Sequence, residues 1–484
     1  MPAKSIMIQG TMSNAGKSVL AAGLCRIFRQ DGYKVAPFKS QNMALNSFIT
    51  AQGLEMGRAQ VMQAEAAGVE PSVEMNPILL KPTSDVGSQV IVNGRAVGNL
   101  TAAEYFRQKS RLIPQVMEAY RALEAQYDII VLEGAGSPAE INLKSQDIVN
   151  MGLARMVGAP VLLAGDIDRG GVFAALYGTM ALLEAEERPY VKGTIINKFR
   201  GDVELLRPGL QQLEALCKVP VVGVVPWMEL DLDEEDSLSA RLDARGGKAP
   251  LDVAVIRLPR ISNFTDFDPL QRHPAVGLRY VDQAEDLGRP DLVILPGTKS
   301  TLADLRWLRQ SGLEAAILKL ASRGTPVMGI CGGYQMLGKT LSDPLGVEGG
   351  GSMDGMGLLD TTTVFSAQKT TTQTACSFPV CGGLFAPLSG CPLEGYEIHM
   401  GQSEGLFTVS GSVLGTYLHG LLDSPQLVER LVGLLMEEKG LQWTGEAPKE
   451  SLWDYKQRQY DKLAQTLRES LDLKKIYEIV ERGV

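Results

Sequence analysis

A chain of 484 residues exceeds what one ordinary hydrophobic core organises, so its length predicts two or three domains, two being the simpler reading. Apolar residues at 45%, charged residues at 21% and 52 glycines exclude a disordered or fibrous chain and indicate many tight loops. A net charge of −9 argues against a surface that coats nucleic acid, and it means that local lysines and arginines must hold any anionic substrate.

The opening stretch MPAKSIMIQG carries one lysine and an apolar run too short for a signal peptide, and no later run approaches a membrane span, so a cytoplasmic, membrane-free protein is expected. Six scattered cysteines with neither zinc-type nor disulfide spacing fit a reducing compartment. From residue 4 to about 226 the runs SIMI, KVAPF, YDIIVL, APVLLAG, VKGTIIN and VPVVGVV alternate with helix-like stretches, which predicts a mostly parallel sheet covered by helices over a first domain, 1–228. The first strand runs into GTMSNAGKS, a P-loop in which Gly10, Thr11, Asn14, Ala15 and Gly16 precede a helix opened by Lys17 and Ser18. Glycines let backbone amides face phosphate oxygens, Lys17 supplies a point charge, and the Ser18 hydroxyl can hold magnesium. The glycine spacing is one residue longer than the ordinary pattern, and the competing reading is a glycine-rich helix start.

Lys39 and Asn42 follow the second strand and so lie at the same sheet edge as Lys17. Further strand ends carry Glu133, Asp166 with Asp168, and Asn197 with Lys198. Each alone reads as a solvated strand end. Together beside a phosphate loop they form a candidate ATP site, with Glu133 as a magnesium ligand and Asn197 as an amide for an adenine edge.

Residues 229–250, acidic and then glycine-rich, predict a linker, and a second alternating series, LDVAVIRL, PDLVILPG and TPVMGIC, predicts another α/β domain over 251–440. Its third strand ends on Cys331 between Gly329 and the pair Gly332–Gly333, the requirement of a sharp strand-to-helix turn that exposes a nucleophile. A small buried cysteine is the competing reading. Of three histidines, His273 lies in a loop and His399 in GYEIHMG, while His419 ends an apolar strand in VLGTYLHG and is the partner base of choice. Gly332, Gly333 and Gly297 can offer amides to an oxyanion. The segment 441–484, with Leu463, Leu467 and Leu471 at four-residue intervals, predicts an amphipathic helical tail on a domain surface.

GICGGYQ, which includes Gln335, together with the distant YLHG resembles the class I glutamine amidotransferase domains, in which a cysteine thiolate takes ammonia from glutamine. Commoner members carry Glu two residues after the histidine; this chain has Leu421, a departure that points to the cobalamin-biosynthesis branch. GTMSNAGKS and VLEGAGS resemble dethiobiotin synthetase, which activates a carboxylate with ATP and whose matching lysine faces the substrate, so Lys39, with Asn42 beside it, is expected on the substrate carboxylate. PFKSQNMALNS, GSPAEINLKSQDIVNMG, GDIDRGGVFA, LPRISNFTDFDPL, LPGTKST and GYEIHMG together are similar to the cobyric acid synthase family. That resemblance implies a P-loop NTPase-type domain followed by a class I glutamine amidotransferase α/β domain. It also implies ATP, magnesium and L-glutamine, with a corrinoid as the remaining partner and Gln335 beside the bound glutamine. The activity implied is amidation of the b, d, e and g carboxylates of a corrin a,c-diamide, the alternatives being a cobyrinic acid a,c-diamide synthase and a P-loop partitioning switch.

Overall fold

Strands that are apolar at consecutive positions must be covered on both faces, and the first half of the chain folds accordingly. In the computed structural model, which describes residues 2–83, 87–232, 249–442 and 450–484, six strands pair in parallel in the order Val221–Pro226, Val191–Phe199, Val161–Asp166, Lys4–Gly10, Ile129–Glu133, Val35–Phe38. Lys4–Gly10 lies at the centre, with Ile8 opposite Glu133 on one side and Gly10 opposite Ala164 on the other. The carboxyl ends of neighbouring strands therefore open on one cleft, where ligands of such sheets collect.

Between Phe38 and Ile129 the chain adds a four-stranded sheet in the order Gln41–Met43, Ile78–Pro82, Gly87–Val92, Arg95–Thr101. The second half builds another six-stranded sheet, Val276–Val281, Leu251–Ile256, Leu292–Leu295, Val327–Ile330, Val413–Thr416, Phe407–Ser410, parallel except for the last strand. Beside it lies a four-stranded sheet whose long strand Thr362–Ser377 reaches the first half. There Lys369 pairs with Glu55, the Thr371 hydroxyl donates to Gly53 O at 2.9 Å, and the Gln373 amide donates to Ile49 O.

The expected linker falls mostly outside the described residues; its described start packs on the first half, where Leu232 is buried. The tail expected over 441–484 contains the helices Leu452–Ser470 and Leu473–Arg482, and these return to the first half. Leu463 and Leu467 lie against the helix Lys17–Gln30 at Gly23, where a Cβ would stand 2.2 Å from Leu467 Cδ1. Tyr460 donates to Glu65 at 2.6 Å, and Arg26 pairs with Asp461. No helix among the described residues is long and apolar enough to cross a membrane.

Candidate active site

The turn after Val327–Ile330 holds Cys331 at φ +51° and ψ −107°, left-handed backbone that a residue with a Cβ adopts only under constraint. The constraint is packing. A Cβ on Gly333 would stand 2.0 Å from Leu295 O, and one on Gly332 2.6 Å from Thr298 Cγ2, so the helix Gly332–Leu337 can start against the neighbouring strand only with glycines there. Cys331 Sγ lies 3.5 Å from Ile398 O in a pocket of about 40 Å³ that His419 also lines.

His419 is held from its other side. Its Nδ1 lies 2.7 Å from Asp266 Oδ2, and both side chains are buried. Asp266 sits on the turn Phe264–Phe267, whose flanking phenylalanines are fully buried and fix the carboxylate's direction. Burial alone would lower the imidazole pKa. The Asp266 carboxylate, followed by the Cys331 sulfur, reverses this and raises it to about 10. The result is an imidazolium beside the Cys331 sulfur, oriented by a carboxylate. Leu421, where commoner amidotransferases carry Glu, is buried and apolar; the acid is instead Asp266, 153 residues upstream of His419. Asp266 lies in a stretch quoted above, yet nothing in its spacing marks it for this role.

Gly333 does not keep the oxyanion role expected of it, because its amide donates to Pro296 O at 3.0 Å. The amides of Gly332 and Gly297 have no acceptor among the described residues, and a Cβ on Gly297 would stand 3.2 Å from His419 Cε1. Gln335 lines the pocket, accepting from the Thr301 hydroxyl at 2.9 Å and donating to Tyr417 OH at 3.3 Å. His399 also lines it, stacked on Tyr417 with ring centroids 3.8 Å apart. His273 is structural: its Nδ1 accepts from Ala275 N.

In the first half a cavity of about 1680 Å³ lies over the sheet's carboxyl edge. Asn14, Gly16, Lys17 and Ser18 line it, with Gly16 at φ +88° before the helix Lys17–Gln30. Gly10, Thr11 and Ala15 stand behind this surface: Gly10 ends the strand, the Thr11 amide is anchored to Ala164 O at 2.9 Å, and Ala15 is fully buried. Asn197 buttresses the same loop, its Nδ2 donating to Ala15 O at 2.9 Å. Lys198 ties Asn14 O to Asp166, while Asp168 pairs with Arg200. The Lys17 ammonium bridges Met12 O and Gly136 O at 3.0 and 3.1 Å.

Glu133 is the hub of this site. Ser18 donates to it at 2.8 Å, Lys39 at 3.0 Å and Gln63 at 2.6 Å, with Gln60 at 3.3 Å. Burial would raise its pKa; the Lys39 charge and these donors outweigh burial and hold the carboxyl below its usual range. Asn42 is buried beside it and donates to Gln60 at 2.9 Å. Lys39 and Asn42 both line the cavity.

Comparison with known proteins agrees with both halves. Residues 6–238 match the CobQ/CobB/MinD/ParA nucleotide binding domain, and residues 252–427 match the CobB/CobQ-like glutamine amidotransferase domain. Cobyric acid synthase of Ruminiclostridium cellulolyticum is 57% identical, the alignment covering 100% of this chain and 98% of that protein. Cobyric acid synthase of Lachnoclostridium phytofermentans is also 57% identical, with both chains covered fully, and that of Salmonella typhimurium is 52% identical over 99% of each. With identity above one half along the whole length, and a nucleotide site and a glutaminase-type site in the matched segments, the chain belongs to the cobyric acid synthase family.

Proposed function

We propose that this glutamine-dependent amidotransferase converts the b, d, e and g carboxylates of a cobyrinic acid a,c-diamide to carboxamides, with ATP as activator. At the smaller pocket the Cys331 thiolate attacks the glutamine amide carbon, the amides of Gly332 and Gly297 stabilise the oxyanion, and the His419 imidazolium protonates the departing ammonia. Water deprotonated by His419 then hydrolyses the thioester, releasing glutamate and restoring the thiolate. At the larger cavity a corrinoid carboxylate oxygen attacks the γ-phosphorus of ATP and ADP leaves. Lys17 and the loop amides hold the phosphates, and Lys39 faces the reacting carboxylate. Ammonia attacks the acyl carbon, phosphate leaves, and the extra proton passes to solvent.

The adjacent oxygens of Ser18 and Glu133 form a small oxygen-donor set suited to a cation that keeps water and phosphate ligands, so magnesium would be held there and would neutralise phosphate charge. A large apolar macrocycle is supported by Met43, Leu143 and Trp227, which expose 58%, 45% and 44% of their surface on or beside this cavity. Lys109, Arg169 and Arg260 on the same cavity supply local positive charge of the kind that a protein of net charge −9 needs to hold a polycarboxylate.

The observation that carries this reading is the wall shared by the two cavities. Lys81 lines the cysteine pocket and Pro82 the large cavity; Arg260 lines the large cavity and Ser262 the cysteine pocket. Ammonia released at Cys331 is therefore freed beside a wall that the large cavity shares. The test is incubation with ATP, glutamine and, separately, cobyrinic acid and its a,c-diamide. Amidation of the a,c-diamide is expected; amidation of cobyrinic acid alone would overturn the reading.

A further inference from the structure

The pocket around Cys331 holds more charge than thioester chemistry uses. Lys81, Lys299, Lys369 and Glu348 all line it. Two of the lysines are already committed, because Lys81 and Lys369 both pair with the buried carboxylate of Glu55, Lys81 at 2.9 Å. Together they hold the Glu55 carboxyl down at about 2 against the effect of burial. Lys299 is different. Its backbone is fixed by the bond from its amide to Arg260 O at 3.1 Å, and its ammonium makes no hydrogen bond or ion pair among the described residues.

Glu348 is anchored but not neutralised. Its Oε2 accepts from Thr301 N at 2.6 Å at the start of the helix Thr301–Gln310, and no ammonium lies within ion-pair distance of it among the described residues. Burial pushes its carboxyl up to about 7 despite the more distant charge of Lys299. The same helix turn fixes Gln335 through the Thr301 hydroxyl, so Glu348 and Gln335 are registered to one another across the pocket.

One unpaired ammonium and one carboxylate without an ion pair, in a pocket that also holds the nucleophile, fit a zwitterion whose reacting amide points at Cys331. We propose that Lys299 binds the α-carboxylate of glutamine and Glu348 its α-ammonium. This rests on the glutaminase reading of Cys331 and goes beyond it, by naming what makes the site select free glutamine over other primary amides. A peptide-bound glutamine lacks both charges and would leave two desolvated ions without partners, which is the strongest form of discrimination a binding pocket has.

The test uses the full chain and three amides: L-glutamine, glutaramic acid, which lacks the α-amino group, and 4-aminobutanamide, which lacks the α-carboxylate. Each is read as kcat/KM where it is turned over and as an inhibition constant where it is not. Lys299→Met is expected to weaken glutamine and glutaramic acid by about 10- to 100-fold and to leave 4-aminobutanamide near its wild-type value. Glu348→Gln should do the reverse, weakening glutamine and 4-aminobutanamide and sparing glutaramic acid. Amidation supported by free ammonia should be unchanged in both variants, which shows that they fold. An equal loss on all three amides, or none on glutamine, would overturn the assignment. Absence of wild-type glutamine hydrolysis would instead overturn the reading of Cys331 itself.

Discussion

Asp266 decides what His419 can do. Its carboxylate keeps the imidazole protonated far above the ordinary histidine value of 6.5, up to about 10. The sign follows directly: stability from this raised pKa is fully present below 6.5 and is lost as pH rises through about 10. Asp266→Asn should lower glutaminase kcat, move its alkaline limit to lower pH and leave ammonia-supported amidation untouched. A pH–rate profile of glutamine hydrolysis checks this, and an unmoved alkaline limit would separate Asp266 from catalysis. Lys39 makes the complementary case in the other half. It pairs with Glu133 at 3.0 Å and lines the large cavity, and the proposed function has it meet the carboxylate being activated. Lys39→Ala should lower amidation from glutamine and from ammonia alike while glutamine hydrolysis at Cys331 continues, and Lys39→Arg should recover little because a planar fork does not replace a compact ammonium. Steady-state rates with both nitrogen sources decide it.

At the level of elements, the strand-to-helix turn at Cys331 depends on glycines by contact. Gly333→Ala places a methyl 2.0 Å from Leu295 O, so the helix Gly332–Leu337 must move off the sheet; glutaminase activity should vanish and the melting temperature fall. Calorimetry and a glutamine hydrolysis assay read the two effects. This turn was legible in the sequence because glycine spacing and an apolar run are local signals, and the same holds for the phosphate loop and all six strands of the first sheet. What was not legible is non-local. The strand Val276–Val281 carries Arg279 and Tyr280 and lacks the apolar run that marked its neighbours. Asp266 reaches His419 only through tertiary folding, and Gly333 looked like an oxyanion donor until its amide was seen bonded to Pro296 O. Leu463 and Leu467 lie on the helix Leu452–Ser470 and Leu471 just beyond it, and their spacing could not announce that the first two pack on the first half at Gly23, more than four hundred residues upstream by chain position.

Over the whole molecule, the two halves are joined at buried charge as well as at apolar contacts. Glu55 from the first half binds Lys369 from the second, and Tyr396 OH donates to Ser47 O at 3.1 Å, accepts from Asn263 at 3.0 Å and stacks its ring on His419. The segment that begins at Lys39 thus ends on Tyr396, whose ring stacks on His419. Lys369→Met leaves Lys81 as the remaining partner of the Glu55 carboxylate in the interface and should lower the melting temperature. A single thermal transition is then expected to separate into two.

The most direct test of the account follows the nitrogen. Wild-type chain with ATP, a cobyrinic acid a,c-diamide and glutamine labelled with heavy nitrogen in its amide, in the presence of unlabelled ammonium, should give a corrinoid labelled at b, d, e and g. Cys331→Ser should form the same carboxamides from the unlabelled ammonium alone. Loss of the ammonia-supported reaction in Cys331→Ser, or unlabelled product from the wild type, would contradict a division of labour between a glutaminase pocket and a separate carboxylate-activating cavity.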